Sequence, residues 1–172
     1  MIVIEVENLV LKIRLYGDPC LRERSIPLDD VGPGERMVFQ SMIETMHQAK
    51  GVGLAAPQVG INRRFFVVDI DDDPMVIINP TIVEKKGSDS LEEGCLSIPQ
   101  VTIVIKRPKQ ITVEYIDENG QPMVMTCDNL LARVIQHETD HLDGKMIVDY
   151  ASKDEREKFA EQLTMLEEEQ RK

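Results

Sequence analysis

The chain has 172 residues, of which 42% are hydrophobic and 30% are charged, and its formal net charge at pH 7 is -11. This length predicts one domain, 1–172, and every apolar run is shorter than the ~20 residues of a membrane helix. The negative charge argues against direct sequence-specific binding of nucleic acid, which depends on lysine and arginine against the phosphates.

The N-terminal segment, residues 1–17, gives no indication of export. It carries Glu5 and Glu7, and it lacks the basic start, the apolar run and the small-residue cleavage site of a signal peptide. It is also not rich in arginine and serine, as organelle transit peptides are. We therefore expect a cytoplasmic protein that does not associate with a membrane.

The first half of the chain predicts one helix, a loop and two strands. Residues 33–51 have apolar side chains near helical spacing, with Pro33 suited to the first turn and Gly51 to the C-terminal cap. The glycine-rich segment GVGLAAPQVG then predicts a structured loop. Two runs rich in β-branched and aromatic residues predict strands, at 64–70 and 75–85.

The second half begins with LEEGCLSIPQ, which predicts another loop, and the strand VTIVI follows it. Residues 111–127 predict a hairpin that turns at Asn119 and Gly120. A helix is predicted over 128–144, capped by Asp128 and Gly144.

A last helix is predicted over 153–170, and it opens with a capping box formed by Ser152 and Glu155. Because strands and helices do not alternate regularly, the pattern indicates an α+β fold. We expect mixed and antiparallel strands to pack around the central helix 128–144, with one helix before them and one after.

The strongest chemical signal is the run HETDH, residues 137–141, in the central helix. Residues four apart share one helix face, so His137 and His141 can bind the same divalent metal ion. Glu138 lies about 100° around the helix from His137 and can reach a water that the metal activates. The pattern predicts metal-dependent hydrolysis in which this water is the nucleophile and Glu138 is the general acid/base.

A catalytic metal site of this kind needs a third protein ligand and one open position. Ile147 occupies the place of the third histidine in HExxHxxGxxH, which excludes that protease pattern. The thiolate of Cys95 suits zinc or ferrous iron and is the favoured candidate. The alternative is a metallopeptidase that takes a glutamate ligand from the last helix, where the candidates are Glu155, Glu157 and Glu161.

Three segments in this order, GVGLAAPQVG, EEGCLS and QHETDHLDG, resemble the signature motifs of peptide deformylases. The resemblance runs from residues 16–19 to the end of the chain. It implies an enzyme that removes the N-formyl group from the N-terminal formylmethionine of nascent proteins and releases formate. The expected partners are therefore formylmethionyl peptides and, transiently, the ribosome.

The resemblance also implies roles for individual residues. Cys95, His137 and His141 would bind one divalent ion, with Fe(II) favoured and Zn(II) as the alternative. Glu138 would be the general acid/base. Gln58 and the backbone N–H of Leu96 would bind the formyl oxygen, where negative charge develops in the transition state.

Further residues of the resemblance concern the substrate. Peptide backbone would approach Gly53 closely and pair with the enzyme as an added strand. Glu93 and Arg107 would form an ion pair that steadies the Cys95 segment. The methionine side chain would enter a pocket beside the His137 ring, lined by Val52, Leu91, Leu130 and Val134.

Two positions depart from the family pattern. Arg133 lies where an apolar residue is common at the pocket rim, and we expect its charge to stay in water. Thr102 stands where some relatives have arginine, so contacts to later substrate residues would differ. A non-catalytic binding protein on the same fold is the remaining alternative, and the presence of Gln58, Cys95 and Glu138 together argues against it.

Overall fold

The computed structural model describes residues 9–172. Residues 1–8 lie outside the described residues. The expectation that the protein has no signal peptide depends on this part of the chain. The helices and strands in chain order are α1 (Pro33–Gln48), β1 (Gly53–Ala55), β2 (Phe65–Ile70), β3 (Asp73–Lys86), β4 (Asp89–Cys95), β5 (Ile98–Arg107), β6 (Gln110–Ile116), β7 (Pro122–Asp128), α2 (Asn129–Leu142), α3 (Lys153–Lys158) and α4 (Ala160–Gln170).

A five-stranded sheet with the order β1-β2-β3-β6-β7 forms one layer of the fold. Each neighbouring pair in it is antiparallel, and so is the separate pair β4–β5. Among the described residues, parallel pairing is limited to a single bridge between Ile26 and Arg63. The α+β class is thus confirmed, with strands that are antiparallel rather than mixed.

The centre of this sheet is buried on both faces. Phe66 and Val68 belong to a core cluster with the apolar residues of α2, whereas Phe65 and Val67 belong to one with α1. This explains why β2 reads as a continuous apolar run instead of an alternating one. The sheet is therefore held between α1 and α2, which fixes the position of the helix that carries both motif histidines.

The β4–β5 hairpin brings Cys95 to the same region of the molecule. Buried and exposed residues alternate along most of β5, and its buried face packs against residues 146–148 and Leu166. A two-residue turn, Leu96 and Ser97, joins the strands, with a register shift between Gly94 and Cys95. The prediction of a loop for LEEGCLSIPQ was wrong, because pairing with β5 makes a strand of an acidic, glycine-containing segment.

Smaller predictions had mixed outcomes. The glycine-rich segment after α1 contains strand β1 and a short 3-10 helix at Ala56–Val59. Gly51 is not the cap of α1, because Lys50 takes the left-handed conformation there, with φ 58°. Asp128 precedes α2 but its carboxylate makes no capping hydrogen bond to the helix backbone. The last predicted helix is divided into α3 and α4 at Phe159.

Other boundaries were predicted correctly. The β6–β7 hairpin turns at Asn119 and Gly120. The capping box before α3 is present, with Ser152 Oγ accepting from the Glu155 N–H at 3.2 Å and Glu155 accepting from the Ser152 N–H at 2.8 Å. Within residues 9–172, no helix combines the length and the apolar composition needed to cross a bilayer.

Gly144 ends α2 and lies against another segment of the chain. Its φ is +73°, and a Cβ there would lie 2.5 Å from the carbonyl oxygen of Arg22. Gly120 has a similar φ of +77° but no heavy atom within 4 Å of a Cβ. An alanine at Gly120 would therefore meet backbone strain alone, whereas an alanine at Gly144 would meet both backbone strain and a steric clash.

We predict that Gly120→Ala lowers the free energy of unfolding by about 1 kcal/mol through left-handed strain alone. Gly144→Ala is expected to lose a further ~1–3 kcal/mol, because the Arg22 backbone must move. Urea unfolding of both variants measures the difference. Equal losses would contradict the role assigned to the Gly144–Arg22 contact.

Candidate metal centre and active site

Two elements that are distant in sequence bring three metal-binding side chains together. The thiol of Cys95, at the end of β4, and one ring nitrogen each of His137 and His141, on α2, all lie within 4.8 Å of one another. Cys95 Sγ is 3.3 Å from His141 Nε2. Ligands of a tetrahedral site with bonds of about 2.1 and 2.3 Å are separated by about 3.6 Å, so this spacing fits one ion.

The surroundings of the two imidazoles also fit a metal. Burial holds the pKa of His141 well below its usual value, which keeps its ring neutral as a ligand requires. Burial would also lower the pKa of His137, but hydrogen bonds to Cys95 and Glu93 raise it well above its usual value. A thiol and a carboxylate beside this ring are groups that a divalent cation would attract.

Glu138 lies beside this cluster with its carboxylate buried. The residue is 4% exposed, and its Oε2 atom has no hydrogen-bond partner among the described residues. Burial raises the pKa of Glu138 to about 7. A carboxylate that holds and releases a proton near neutral pH is suited to general acid/base chemistry.

Gly53 makes room for this carboxylate. A Cβ at position 53 would lie 2.5 Å from Glu138 Oε1 and 2.9 Å from Val134 Cγ1. The φ of Gly53 is not positive, so turn geometry is not the reason for glycine at this position. Glycine at position 53 is required by the close approach of strand β1 to α2.

Gln58 points its amide group into the same region. Its Nε2 donates to Ser97 Oγ at 3.1 Å and lies 3.6 Å from Cys95 Sγ. Its Oε1 accepts from the Ala55 N–H at 2.8 Å, which fixes the orientation of the amide. Ser97 is fully buried and was not identified from the sequence, although it is the last residue of the EEGCLS segment.

Glu93 and Arg107 form the expected ion pair across the β4–β5 hairpin. Arg107 Nε lies 2.9 and 3.0 Å from the two carboxylate oxygens of Glu93. Glu93 Oε1 is in turn 3.7 Å from His137 Nδ1. Burial would raise the pKa of Glu93, but His137 and Arg107 lower it, so Glu93 stays ionised beside the ring.

This pair continues into α2 through residues that the sequence did not single out. Arg107 Nη1 donates to Asp140 Oδ2 at 2.8 Å, and Tyr150 donates to the same oxygen at 2.7 Å. Asp140 lies inside the HETDH run, three residues after His137 and on a neighbouring part of the helix surface. That spacing is the signal that could have identified it.

An open cavity of about 490 Å³ lies in front of the cluster. Three of the residues expected at the methionine pocket line it, namely Val52, Leu130 and Val134, together with the His137 ring. Leu91 is not among its lining residues. It is half exposed on β4, about 7 Å along the strand before Glu93, so that expectation was not met.

Arg133 lines this cavity but does not keep its charge in water as expected. It is 5% exposed, and its guanidinium donates to Asp89 Oδ1 at 2.6 Å and to the Ile105 carbonyl at 2.9 Å. The expectation was wrong because Asp89 lies 44 positions earlier in the chain and the sequence gives no sign of the contact. Thr102 also lines the cavity and donates to Glu92 at 2.7 Å.

The alternative third ligands do not approach the cluster. Among the described residues, the one group whose donor atoms could hold a metal ion is Cys95, His137 and His141. Glu155 is instead bonded to Ser152 at the start of α3, and Glu157 and Glu161 are exposed. The metallopeptidase alternative with a downstream glutamate is therefore wrong.

A thiol, two imidazoles and a buried carboxylate around an open cavity define the site of a metal-dependent hydrolase. The family model for polypeptide deformylases matches residues 10–157 of this chain. Peptide deformylase 2 of Xanthomonas campestris pv. campestris is 43% identical over 163 residues, which cover 91% of this chain and 96% of that protein.

Solved structures give the same result. The peptide deformylase of Thermus thermophilus has a TM-score of 0.87 at 40% identity, covering 94% of this chain and 99% of that one. The enzyme from Thermotoga maritima has a TM-score of 0.82 at 43% identity, covering 84% and 99%. The chain belongs to the polypeptide deformylase family. It is a hydrolase that removes the N-formyl group from nascent peptides, in a family that depends on a metal.

We predict that Gly53→Ala reduces kcat for formate release by about 100-fold, because the new methyl group displaces the Glu138 carboxylate. Bound metal should be retained, since Gly53 does not belong to the donor cluster. Gly34→Ala is the matched control, because a Cβ there has no heavy atom within 4 Å. Steady-state assays on a formyl-Met peptide measure both variants, and an unchanged kcat in Gly53→Ala would refute this interpretation.

Proposed function

We propose that deformylation takes place at the cluster formed by Cys95, His137 and His141, with Glu138 as the general acid/base. The observation that carries the proposal is the convergence of these three donor atoms within 4.8 Å beside a buried, unpartnered carboxylate oxygen. An open cavity leads to them, so a peptide end can reach the site.

The three side chains would hold one divalent ion. Such an ion supplies Lewis acidity and lowers the pKa of water toward about 7, which provides a nucleophile at neutral pH. One thiolate and two imidazoles suit both Fe(II) and Zn(II). We propose Fe(II) as the working metal, supported by the resemblance of the three sequence motifs, with Zn(II) as a substitute that the same donors accept.

Glu138 moves the protons of the reaction. Its buried Oε2 atom accepts a proton from the attacking water and returns it to the nitrogen of the methionine amine as the carbon–nitrogen bond breaks. The carboxyl is suited to both steps because its pKa, raised by burial to about 7, lies between those of the two partners. The products are formate and a free N-terminal amine.

Gln58 and the backbone N–H of Leu96 stabilise the charge on the formyl oxygen. Gln58 Nε2 carries two hydrogens, one directed to Ser97 Oγ and one to Cys95 Sγ, and we propose that the formyl oxygen takes the place of the sulfur as acceptor of the second. Fixed donors of this kind contribute about 3 kcal/mol each to lowering the barrier. Ser97 orients the amide and keeps its nitrogen toward the cluster.

The first residue of the substrate occupies the apolar part of the cavity. Val52 and Leu130 are each about half exposed, and Val134 lies deeper, so a methionine side chain can cover all three. The peptide backbone runs past Gly53 as an added strand.

Because formylated chains are nascent chains, we propose that the enzyme acts in the cytoplasm and binds the ribosome transiently.

Glu93 and Arg107 hold the ligands in place. Glu93 Oε1 lies 3.7 Å from His137 Nδ1, and Arg107 Nε donates to the same carboxylate. Such outer contacts fix the orientation of a histidine ligand. Asp140 and Tyr150 fix the guanidinium of Arg107 through hydrogen bonds.

We predict that Glu138→Gln retains one metal ion per chain and loses turnover by roughly 10²–10⁴-fold, because the amide cannot accept the water proton. Metal analysis and formate release on the same sample measure both effects. Glu92→Gln serves as the control, since Glu92 lines the cavity and accepts from Thr102 but does not belong to the donor cluster. Normal turnover in Glu138→Gln would rule out the proposed role of this carboxylate.

Cys95→Ala is expected to lose metal and activity together, because two imidazoles alone bind a dication weakly. Cys127→Ala is the matched control: its thiol is half buried, burial raises its pKa to about 11, and it lies outside the cluster. Atomic absorption of both variants, purified without air, measures the metal. Full occupancy in Cys95→Ala would exclude the sulfur ligand.

A further inference from the structure

A second cavity of about 930 Å³ lies on the opposite face of α2 from the catalytic cavity. The catalytic cavity is lined by α2 positions that include Val134, His137 and Glu138. The second cavity is lined by Gln136 and Thr139 on the other side of the same helix. Among the described residues the two cavities share no lining residue, so the formylated substrate would not enter the second one. We call it the rear cleft.

The rear cleft is basic in a chain whose net charge is -11. Its lining includes two acids, Asp140 and Asp143, and both are engaged, by Arg107 at 2.8 Å and by Arg64 at 2.9 Å. Four further cationic residues line it and have no ion-pair partner within the described part of the chain: Arg24, Lys85, Lys106 and Lys145. Like charges gathered in one concave surface repel one another unless an anion lies between them.

An unpaired hydroxyl in the same lining also points to a ligand. Ser25 is 4% exposed, and its Oγ atom has no hydrogen-bond partner among residues 9–172. Its backbone is fixed, because the Ser25 N–H donates to the Leu142 carbonyl at 2.8 Å. A buried hydroxyl without a partner costs free energy, which an acceptor oxygen of a bound group would recover.

The remaining walls of the cleft are mixed, with the apolar Pro27, Pro80 and Pro108 beside the uncharged polar Gln136 and Thr139. A volume of this size matches the ~300–1,000 Å³ of ordinary ligand sites. Several cations around one such volume require an anion of high charge density. Carboxylates on an extended peptide are about 7 Å apart when they share a face, whereas linked phosphates concentrate charge and acceptor oxygens in a smaller space.

We propose that the rear cleft binds linked phosphate groups, with Lys85, Lys106 and Lys145 as the main contacts and Ser25 donating a hydrogen bond. Two sources carry this chemistry, a free polyphosphate chain and the backbone of RNA. Arg107 lines the rear cleft and also holds Glu93, so an occupant would lie one ion pair away from His137.

Calorimetric titration of the metallated full chain at low salt tests the proposal, with tripolyphosphate and a short single-stranded RNA as the probes and polyglutamate as the carboxylate comparison. The test variant is Lys85→Ala/Lys106→Ala/Lys145→Ala. Its matched control is Lys109→Ala/Lys158→Ala/Lys172→Ala, which removes the same charge from exposed positions outside the cleft lining. Formate release, measured alongside, should be unchanged in both, since none of these residues belongs to the proposed catalytic machinery.

We expect tripolyphosphate to bind the wild-type chain at one site, and the cleft variant to bind it at least about tenfold more weakly. The control should stay within about twofold of wild type. Ser25→Ala should weaken binding without lowering the urea midpoint, because its hydroxyl has no hydrogen-bond partner among residues 9–172. RNA that competes with tripolyphosphate would identify a nucleic-acid source, and RNA that does not bind would identify a free polyphosphate.

Three results would overturn the proposal. The first is no binding of either probe to the wild-type chain at low salt. The second is equal weakening in the cleft and control variants, which would indicate only general electrostatic attraction. The third is binding of polyglutamate alone, which would assign the cleft to carboxylates. None of these results bears on deformylation, which is tested separately at Glu138 and Cys95.

Discussion

The contact on which the site depends is the docking of the β4–β5 hairpin against the histidine face of α2. Cys95 and His141 are 46 positions apart, yet their side chains lie 3.3 Å from each other. Neither element alone can hold a metal with three protein ligands. The ion pair between Arg107 on β5 and Asp140 on α2 fastens the same interface, so the charged network and the donor cluster depend on one docking arrangement.

This arrangement concentrates ionisable groups at buried positions. Glu93, Arg107, Glu138 and His141 are each buried, which is costly unless every charge is matched. Arg107 forms ion pairs with two of the three neighbouring carboxylates, Glu93 and Asp140. The third is Glu138, and the donor cluster beside it offers a site for a dication. A dication bound there would add a cationic partner for this carboxylate and the thiol, so metal binding would stabilise the folded chain.

Part of the site could be predicted from the sequence, because it depends on local spacing. The i, i+4 histidines and the adjacent Glu138 follow from helix geometry alone, and Gly144 as the end of that helix follows from its conformational preference. Cys95 was favoured by its ligand chemistry, but the glutamates of the last helix stayed open until the resemblance to a family, since no local pattern connects a thiol on one hairpin with a helix far along the chain. The buried pairing of Arg133 with Asp89 escaped prediction for the same reason.

X-ray absorption spectroscopy at the metal edge tests the central claim most directly, because it reads the atoms bound to the metal in the working enzyme. Protein purified without air and shown to release formate from a formyl-Met peptide should give one sulfur at about 2.3 Å and two imidazole nitrogens at about 2.1 Å. A first shell of nitrogen and oxygen only, in a fully active sample, would contradict the proposed role of Cys95 and the mechanism that depends on it.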